Sequence, residues 1–225
     1  MRMLRSAKDL QQYAVEAEDG PVGWMNSMLV KDDDWSLEYM VVNLGNWLPG
    51  REVLVPPERV VARDWTHKRL KMDATKEKIE HSPGIEEHRP VSAQKETDQI
   101  LFHSWPVTEK MGDPHLRSTR ELIGYKVNAR DGRAGRVEDF IVEDGPQGRV
   151  RYVVVNTGDI LPGKRVMLSV DWIDHIKWSD KIVFIDMTKE RIDEAPEYDP
   201  REPVNREYET RVYDYYGRPK YWELS

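Results

Sequence analysis

A long internal repeat constrains this chain more than any other feature of its sequence. The stretch MVVNLGNWLPGREVLV, residues 40–55, returns as VVVNTGDILPGKRVML, residues 153–168. The match includes Asn43 with Asn156 and the whole tripeptide Leu-Pro-Gly. Because agreement of this length at a nearly constant offset is the signature of a duplicated structural unit, the chain is expected to contain two copies of one fold.

The repeat extends towards both ends of the chain. Residues 5–23, RSAKDLQQYAVEAEDGPVG, align with residues 117–135, RSTRELIGYKVNARDGRAG. The polar stretches at residues 89–107 and 202–220 also align, sharing a Pro-Val pair and a Glu-Thr pair. Each stretch is therefore interpreted as a tail that belongs to its own copy and is ordered by aromatic packing, not as a disordered linker.

The boundary between the copies is predicted near residue 112, within the short segment EKMGDPH. This places one domain at residues 1–112 and a second at residues 113–225, each with its own helical and aromatic tail. A chain of 225 residues with 39% hydrophobic residues is long enough to bury two cores of ordinary domain size.

Within one copy the pattern is mainly that of β-strands. Residues 126–144 read as two strands joined at Asp131-Gly132, because glycine accepts the positive φ that a tight hairpin turn requires. Residues 150–156, VRYVVVN, have the β-branched and aromatic composition of a buried strand. The stretch TKERIDEA and the tails are typical of short helices. We therefore predict a mainly β protein with two small β-barrels, each followed by a short helical appendage.

The order of these segments resembles a known family. The series GRVEDFIVED, YVVVNTG, LPGKRVMLSVDWI and TKERIDEAP is similar to the PRC-barrel family, small barrels found in the cytoplasmic part of the photosynthetic reaction-centre H subunit and in a 16S rRNA-processing factor of ribosome maturation. The tail PVNREYETRVYDYYGRPKYW resembles that of stand-alone bacterial members, many of which carry two barrels. The resemblance covers nearly the whole chain, although the first copy has Arg59 where the second has Trp172.

This resemblance implies two tandem PRC-like barrels, and we expect a pseudo-two-fold to relate them. It also implies a scaffold or interaction module, since most members of the family have no established chemistry. A single barrel of about 80 residues buries a modest core, so we expect the two copies to complete each other, as two chains of a one-copy relative would by dimerising.

Composition limits the classes of partner. With 41 acidic and 34 basic residues the net charge is −7, which disfavours nucleic acid as the main partner. The chain has no cysteine, so disulfides and thiolate chemistry are excluded. No apolar run approaches the length of a membrane span or of a signal peptide, and a cytoplasmic location is therefore expected.

The residue types that carry catalysis or bind metals do not form recognisable motifs. The six histidines are scattered, without the close spacing of a metal site. The run Asp32-Asp33-Asp34 lacks the alternating ligands and the downstream Glu of a Ca²⁺ loop, and it is interpreted as a solvated hairpin tip. Neither a phosphate-binding glycine loop nor a nucleophile elbow is present. We predict no catalytic residues, no cofactor and no metal, and hence a protein that is not an enzyme.

The most unusual loop lies between a buried strand and its Pro-Gly turn. It carries Trp47 and Leu48 in the first copy and Ile160 and Leu161 in the second, among Asn, Gly and Asp residues. Large apolar side chains in such a setting need a contact. They close the end of their own barrel, or meet the other barrel, or anchor a second protein. These four residues are the candidate protein-binding site.

Two functions stay open. The first is a non-enzymatic scaffold or protein-interaction module with an unidentified protein partner, and self-association into a homo-oligomer stays open with it. The alternative is an RNA- or ribosome-associated processing or assembly factor, by analogy with the ribosome maturation factor. The acidic balance of the chain favours the first.

Overall fold

The architecture is that of a computed structural model, which describes residues 3–45, 48–85, 115–145, 148–158 and 163–223. Strands dominate these residues, and the helices between them are short. The predicted fold class is confirmed, since the chain is mainly β and forms two tandem barrel-like sheets.

The elements follow the same series twice. The strands are β1 (Leu4–Ser6), β2 (Ala14–Ala17), β3 (Gly20–Lys31), β4 (Leu37–Asn43), β5 (Glu52–Val55), β6 (Val60–Asp64), β7 (Arg69–Met72), β8 (Leu116–Ser118), β9 (Lys126–Ala129), β10 (Gly132–Glu143), β11 (Arg149–Asn156), β12 (Arg165–Ser169), β13 (Ile173–Lys177) and β14 (Ile182–Ile185). The helices are α1 (Ala7–Leu10), α2 (Lys76–Glu80), α3 (Thr119–Leu122), α4 (Lys189–Asp193) and α5 (Arg206–Tyr216). Short 3₁₀ turns occupy Pro57–Arg59, Val170–Trp172, Trp178–Asp180 and Tyr221–Glu223.

Each sheet has seven strands, and six of them follow the same order in both sheets. The first runs β5-β4-β3-β2-β7-β6, and the second runs β12-β11-β10-β9-β14-β13. The pairs β2 with β7 and β9 with β14 are parallel, whereas the pairs β2–β3, β3–β4, β4–β5, β6–β7, β9–β10, β11–β12 and β13–β14 are antiparallel. Identical order and direction in both sheets are what a duplicated fold requires. Over the described ranges the strand pairing does not close either sheet into a complete barrel.

The seventh strand of each sheet comes from the other copy. One compact unit, called the C-terminal unit below, combines Met1–Ser6 with Leu122–Asp144 and Val150–Ser225. The other, the N-terminal unit, combines Ala7–Glu121 with Gly145–Arg149. The strand that opens each copy in sequence therefore lies in the sheet of the opposite copy. The predicted boundary near residue 112 itself lies outside the described residues and stays a prediction.

The exchanged strands occupy equivalent places. In β1, Arg5 lies opposite Val142 of β10, and in β8, Arg117 lies opposite Val30 of β3. Both pairs are antiparallel. Strand order alone would not reveal this exchange, because β1 and β8 are equivalent strands that fill equivalent positions in the two sheets.

A glycine at one point of each copy allows neighbouring backbones to approach closely. A Cβ on Gly23 would overlap the carbonyl oxygen of Asn43, and a Cβ on Gly135 would overlap that of Asn156. Only glycine leaves room for these carbonyl groups. The packing of β3 against β4 and of β10 against β11 therefore explains why both copies keep this glycine.

The core of the N-terminal unit includes a residue of the exchanged strand. Leu116 of β8 is 1% exposed and packs with Leu29, Val41 and Leu54. Burying a leucine side chain contributes about 1.5–3 kcal/mol relative to leaving it in water. The exchanged strand is thus part of the hydrophobic core and not a surface addition.

Candidate functional site

The loop predicted to bind protein begins with the same capped turn in both copies. In the first copy the Oδ1 atom of Asn43 accepts a hydrogen bond of 2.9 Å from the backbone N–H of Gly45. In the second copy Oδ1 of Asn156 accepts bonds of 3.0 Å from the backbone N–H groups of Gly158 and Gly163. An asparagine side chain that bonds the backbone in this way sets the direction in which the loop leaves the strand.

Of the four predicted binding residues, one lies in the described part of this loop. Leu48 is half-buried, and its carbonyl oxygen accepts a hydrogen bond of 3.1 Å from the backbone N–H of Arg51. Trp47, Ile160 and Leu161 lie outside the described residues. The role of all four residues in binding a protein stays a prediction.

An exposed tryptophan lies beside this loop in the first copy. Trp24 is directly opposite Asn43 in the β3–β4 ladder, and it is 40% exposed. A Cβ on Gly45 would come within 2.9 Å of the indole ring, so the ring lies against the bare backbone at the start of the loop. An aromatic side chain held on a strand and open to solvent is the kind of residue that anchors protein interfaces.

The second copy lacks this aromatic side chain. Its equivalent residue is Arg136, which is exposed. Among the described residues the exposed large apolar side chains are Met3, Trp24 and Val61, and Trp24 is the aromatic one. The sequence-based prediction missed Trp24, although a Trp-to-Arg difference between matched strand positions is the signal that would have found it.

A buried carboxylate fixes the tail helix to the second copy. Glu209 of α5 is 2% exposed, and its Oε1 atom accepts hydrogen bonds from the hydroxyl groups of Tyr152 (2.6 Å) and Tyr221 (3.0 Å). Its Oε2 atom lies 2.9 Å from Nη1 of Arg206. Burial, followed by the charge of Glu209, raises the pKa of Tyr152 far above its ordinary value, so this hydroxyl remains a donor. The carboxylate is therefore satisfied by its own fold.

Aromatic rings surround this carboxylate and hold the tail on the sheet. The ring of Trp172 lies 5.1 Å from that of Tyr213 and 4.9 Å from that of Tyr216, and Trp222 lies 5.2 Å from Tyr213. The guanidinium group of Arg206 lies 4.1 Å from the centre of the Trp222 ring. The predicted ordering of the second tail by aromatic packing is confirmed, whereas the first tail lies outside the described residues.

A groove rich in arginine lies where the tail helix ends. It has a volume of about 360 Å³, and Arg218 is exposed at its edge. The Nε atom of Arg130 lies 2.5 Å from the carboxylate of Asp186, and Nη2 of Arg191 donates a 2.6 Å hydrogen bond to the carbonyl oxygen of Tyr216. The hydrogen bond from Arg130 also lowers the pKa of Asp186. These two arginines complete local structure, since one pairs with a carboxylate and the other with the last turn of α5.

The acidic run of the first copy has a structural role as well. Asp32 bonds the side chains of Arg117 (2.6 Å) and His115 (2.9 Å), and its own side chain is 12% exposed. The interpretation of the run as a solvated hairpin tip is therefore wrong for Asp32, because the sequence pattern could not show that β8 lies beside it. In the described parts of the chain, no group of three or more potential metal-binding side chains occurs.

These observations define a class of protein with two small barrel-like β units. The buried polar groups described above hold the structure, and an aromatic ring is exposed beside one loop. Residues 115–192, which lie in the second copy, match the PRC-barrel domain. The match does not reach the first copy, which shares the strand order of the second.

Curated proteins yielded no match to this sequence. Among the helices in the described residues, none combines the length and the apolar character that a bilayer crossing requires.

Proposed function

We propose that this protein is a non-enzymatic interaction module in which the first copy binds another protein through Trp24 and the adjoining loop. The observation that carries the proposal is the exposed indole of Trp24 at the base of the loop where the sequence predicts a binding site. A PRC-barrel domain in the second copy supports an interaction role in general terms.

The polar groups of the C-terminal unit support a role without catalysis. A catalytic carboxylate needs a substrate within hydrogen-bonding reach. The Glu209 carboxylate instead bonds two tyrosine hydroxyls and a guanidinium group of its own chain. Its chemistry is used to hold the tail.

The alternative function, association with RNA or with ribosomes, makes a different demand on the surface. Binding of an RNA backbone requires a cluster of cations, and the net charge of −7 opposes it. The groove at Arg130 and Arg191 offers cations, but these two side chains are bonded to Asp186 and to the tail. We therefore favour a protein partner.

Site-specific photo-crosslinking in the native cell tests the proposal. A photoreactive amino acid at position 24 should give one discrete protein adduct, because the side chain faces the bound partner. The matched control carries the same amino acid at position 136, the equivalent strand position of the second copy, and should give no such adduct.

A second variant connects the adduct with the indole itself. With the photoreactive group at position 48, Trp24→Arg should abolish the adduct, because it introduces the residue of the second copy. Adducts of equal strength at positions 24 and 136 would contradict a site confined to the first copy. Adducts that contain RNA and no protein would favour the alternative function.

A further inference from the structure

The two exchanged strands are the same strand in sequence. Leu4–Ser6 and Leu116–Ser118 both read Leu-Arg-Ser. Leu4 lies opposite Glu143 and Leu116 lies opposite Lys31, which are equivalent positions of the two long strands. Each acceptor edge therefore receives the same side chains in the same register.

The exchange is also symmetrical at the ends of the strands. Before β1, the backbone N–H of Met3 donates a 2.7 Å hydrogen bond to Oδ1 of Asp144, and the N–H of Asp144 donates one of 2.9 Å to the Met3 carbonyl. Before β8, the N–H of Asp32 donates a 2.9 Å bond to the carbonyl of His115. Asp32 and Asp144 are equivalent aspartates of the repeat, so the same bond from an aspartate N–H to a carbonyl oxygen lies before both exchanged strands.

Buried side-chain contacts fix each exchanged strand further. The hydroxyl of Ser6 lies 2.5 Å from Oδ2 of Asp139, which is 6% exposed. The hydroxyl of Thr119, which follows β8, lies 3.3 Å from the backbone N and O atoms of Met28. Such buried polar contacts are lost at a cost if the strand leaves. These contacts hold each exchanged strand on its acceptor edge.

The residues that match the PRC-barrel domain begin with β8, the strand that pairs with the sheet of the other copy. The PRC-barrel match covers residues 115–192 and so includes Leu116–Ser118. That strand pairs with β3 of the N-terminal unit, while β10 of the C-terminal unit receives Leu4–Ser6. A single sequence copy therefore does not supply the seventh strand of its own sheet.

We propose that each acceptor edge also binds the Leu-Arg-Ser strand of a second copy of this chain, which produces a strand-exchanged homodimer. Identical strands in identical register give the acceptor edge no means of distinguishing its own chain from another. In the dimer, the first copy of one chain exchanges strands with the second copy of the other, and all strand contacts are kept. The balance between monomer and dimer then depends on chain connection and protein concentration.

Disulfide trapping tests this proposal in the full chain, which has no cysteine of its own. One preparation carries Arg5→Cys and the other carries Val142→Cys, the residues that lie opposite each other in β1 and β10. The two are unfolded together, refolded at high protein concentration and oxidised. Residues directly opposite in an antiparallel ladder are close enough for a disulfide. We expect a disulfide-linked species of two chains.

The matched control mixes Arg5→Cys with Val30→Cys. A fold without exchange would place residue 5 opposite residue 30, because Val30 holds the position equivalent to Val142. We expect the control to give at least about tenfold less linked dimer than the first mixture, since linkage then requires random encounter. Equal amounts in both mixtures would overturn the proposal.

A chain that carries both Arg5→Cys and Val142→Cys shows whether the geometry permits the bond. If this double variant closes its disulfide within the chain while the mixed single variants do not link, exchange is confined to one chain and the proposal is wrong. The mirrored variants Arg117→Cys and Val30→Cys repeat the test at the other edge, should Cys at position 142 prevent folding.

Light scattering on the unaltered protein gives an independent measurement. After refolding over a series of concentrations, we expect a dimer fraction that rises with concentration and persists on dilution until the chains are unfolded again. Persistence is expected because the strands must leave their sheets before the chains can separate. A monomer after refolding at every concentration would overturn the proposal.

Discussion

The second copy has Trp172 where the first has Arg59, and the two side chains have opposite surroundings. Trp172 is 9% exposed and contacts the rings of Tyr213 and Tyr216 in the tail helix. The Arg59 side chain is 57% exposed, and its Nη1 atom lies 3.6 Å from the carboxylate of Asp73. Yet each residue is the last of a short 3₁₀ turn that lies at the equivalent place in its copy.

Arg59 and Trp172 differ at a position outside the strands that the two copies share. The strand order depends on alternating apolar residues, on turns and on one close backbone contact, all of which both copies keep. The packing of the tail helix α5 depends on a few aromatic side chains and on the buried carboxylate of Glu209. A duplicated fold therefore keeps its sheets while the two copies diverge where individual side chains make the contacts.

The largest expected effect is at Trp172. Trp172→Ala should lower the free energy of unfolding by about 3–5 kcal/mol, because it leaves a cavity beneath the tail helix. The matched variant Arg59→Ala should cost about 0.5 kcal/mol or less, since an exposed ion pair contributes little. Denaturant unfolding of both variants measures the contrast. Similar losses at the two positions would show that the aromatic cluster is not what distinguishes the copies.

The next effect is expected at the buried carboxylate. Glu209→Ala removes the acceptor of the Tyr152 and Tyr221 hydroxyls and should cost about 2–3 kcal/mol, because the buried Tyr152 hydroxyl loses this partner. Glu207→Ala, an exposed position of the same helix, is the control and should cost about 0.5 kcal/mol or less. Hydrogen exchange of α5 should speed up in the first variant alone. Unchanged exchange in Glu209→Ala would contradict the role of this residue in holding the tail.

A third prediction concerns the feature that the copies share. Gly23→Ala and Gly135→Ala should each destabilise the protein by about 1–3 kcal/mol, because the new methyl group overlaps a carbonyl oxygen of the neighbouring strand. Gly135 also has a positive φ of +142°, and Gly50→Ala, where a Cβ would meet no atom but φ is +79°, measures the cost of a positive φ alone. Thermal unfolding of the three variants provides the comparison. A large loss of stability from the substitution in one copy and none in the other would show that the two sheets are not structurally equivalent.

The smallest expected effect appears in alkaline solution. Burial, followed by the charge of Glu209, raises the pKa of Tyr221 from 10.0 to about 12. The folded state therefore keeps this proton longer than the unfolded chain, so the contribution is complete below about pH 10 and is lost as the pH rises through about 12.

Tyr221→Phe removes this contribution. Its stability should fall less steeply than that of the unaltered protein between about pH 10 and pH 12, by about 1 kcal/mol or less because the side chain is partly exposed. Denaturant unfolding at several pH values measures the slope. An identical slope in both proteins would show that Tyr221 is as free to ionise in the tail as in the unfolded chain.

Much of the fold is readable in the sequence because it depends on local patterns. The β-branched run at residues 150–156 predicts a buried strand, and Asp131-Gly132 predicts a hairpin turn. The repeat then extends each assignment from one copy to the other. The candidate site was only partly readable, since the sequence shows that Trp24 is replaced by Arg136 in the second copy, and the structure adds that Trp24 is exposed to solvent.

Glu209 shows what local patterns leave out. In sequence it is one acidic residue in a polar stretch, and such residues are usually exposed. Its burial follows from the docking of α5 on β11, which brings the distant hydroxyl of Tyr152 to 2.6 Å from its carboxylate. That contact is a property of the assembled sheet and helix.

The sequence by itself determined that the chain holds two copies of a small β fold and which segments form their strands. The tertiary structure decided which copy each opening strand completes. Leu4–Ser6 and Leu116–Ser118 have the same three residues, and either long strand offers them an equivalent edge. Because both pairings present the same side chains in the same register, no local pattern separates them. The choice depends on how the whole chain is connected and packed.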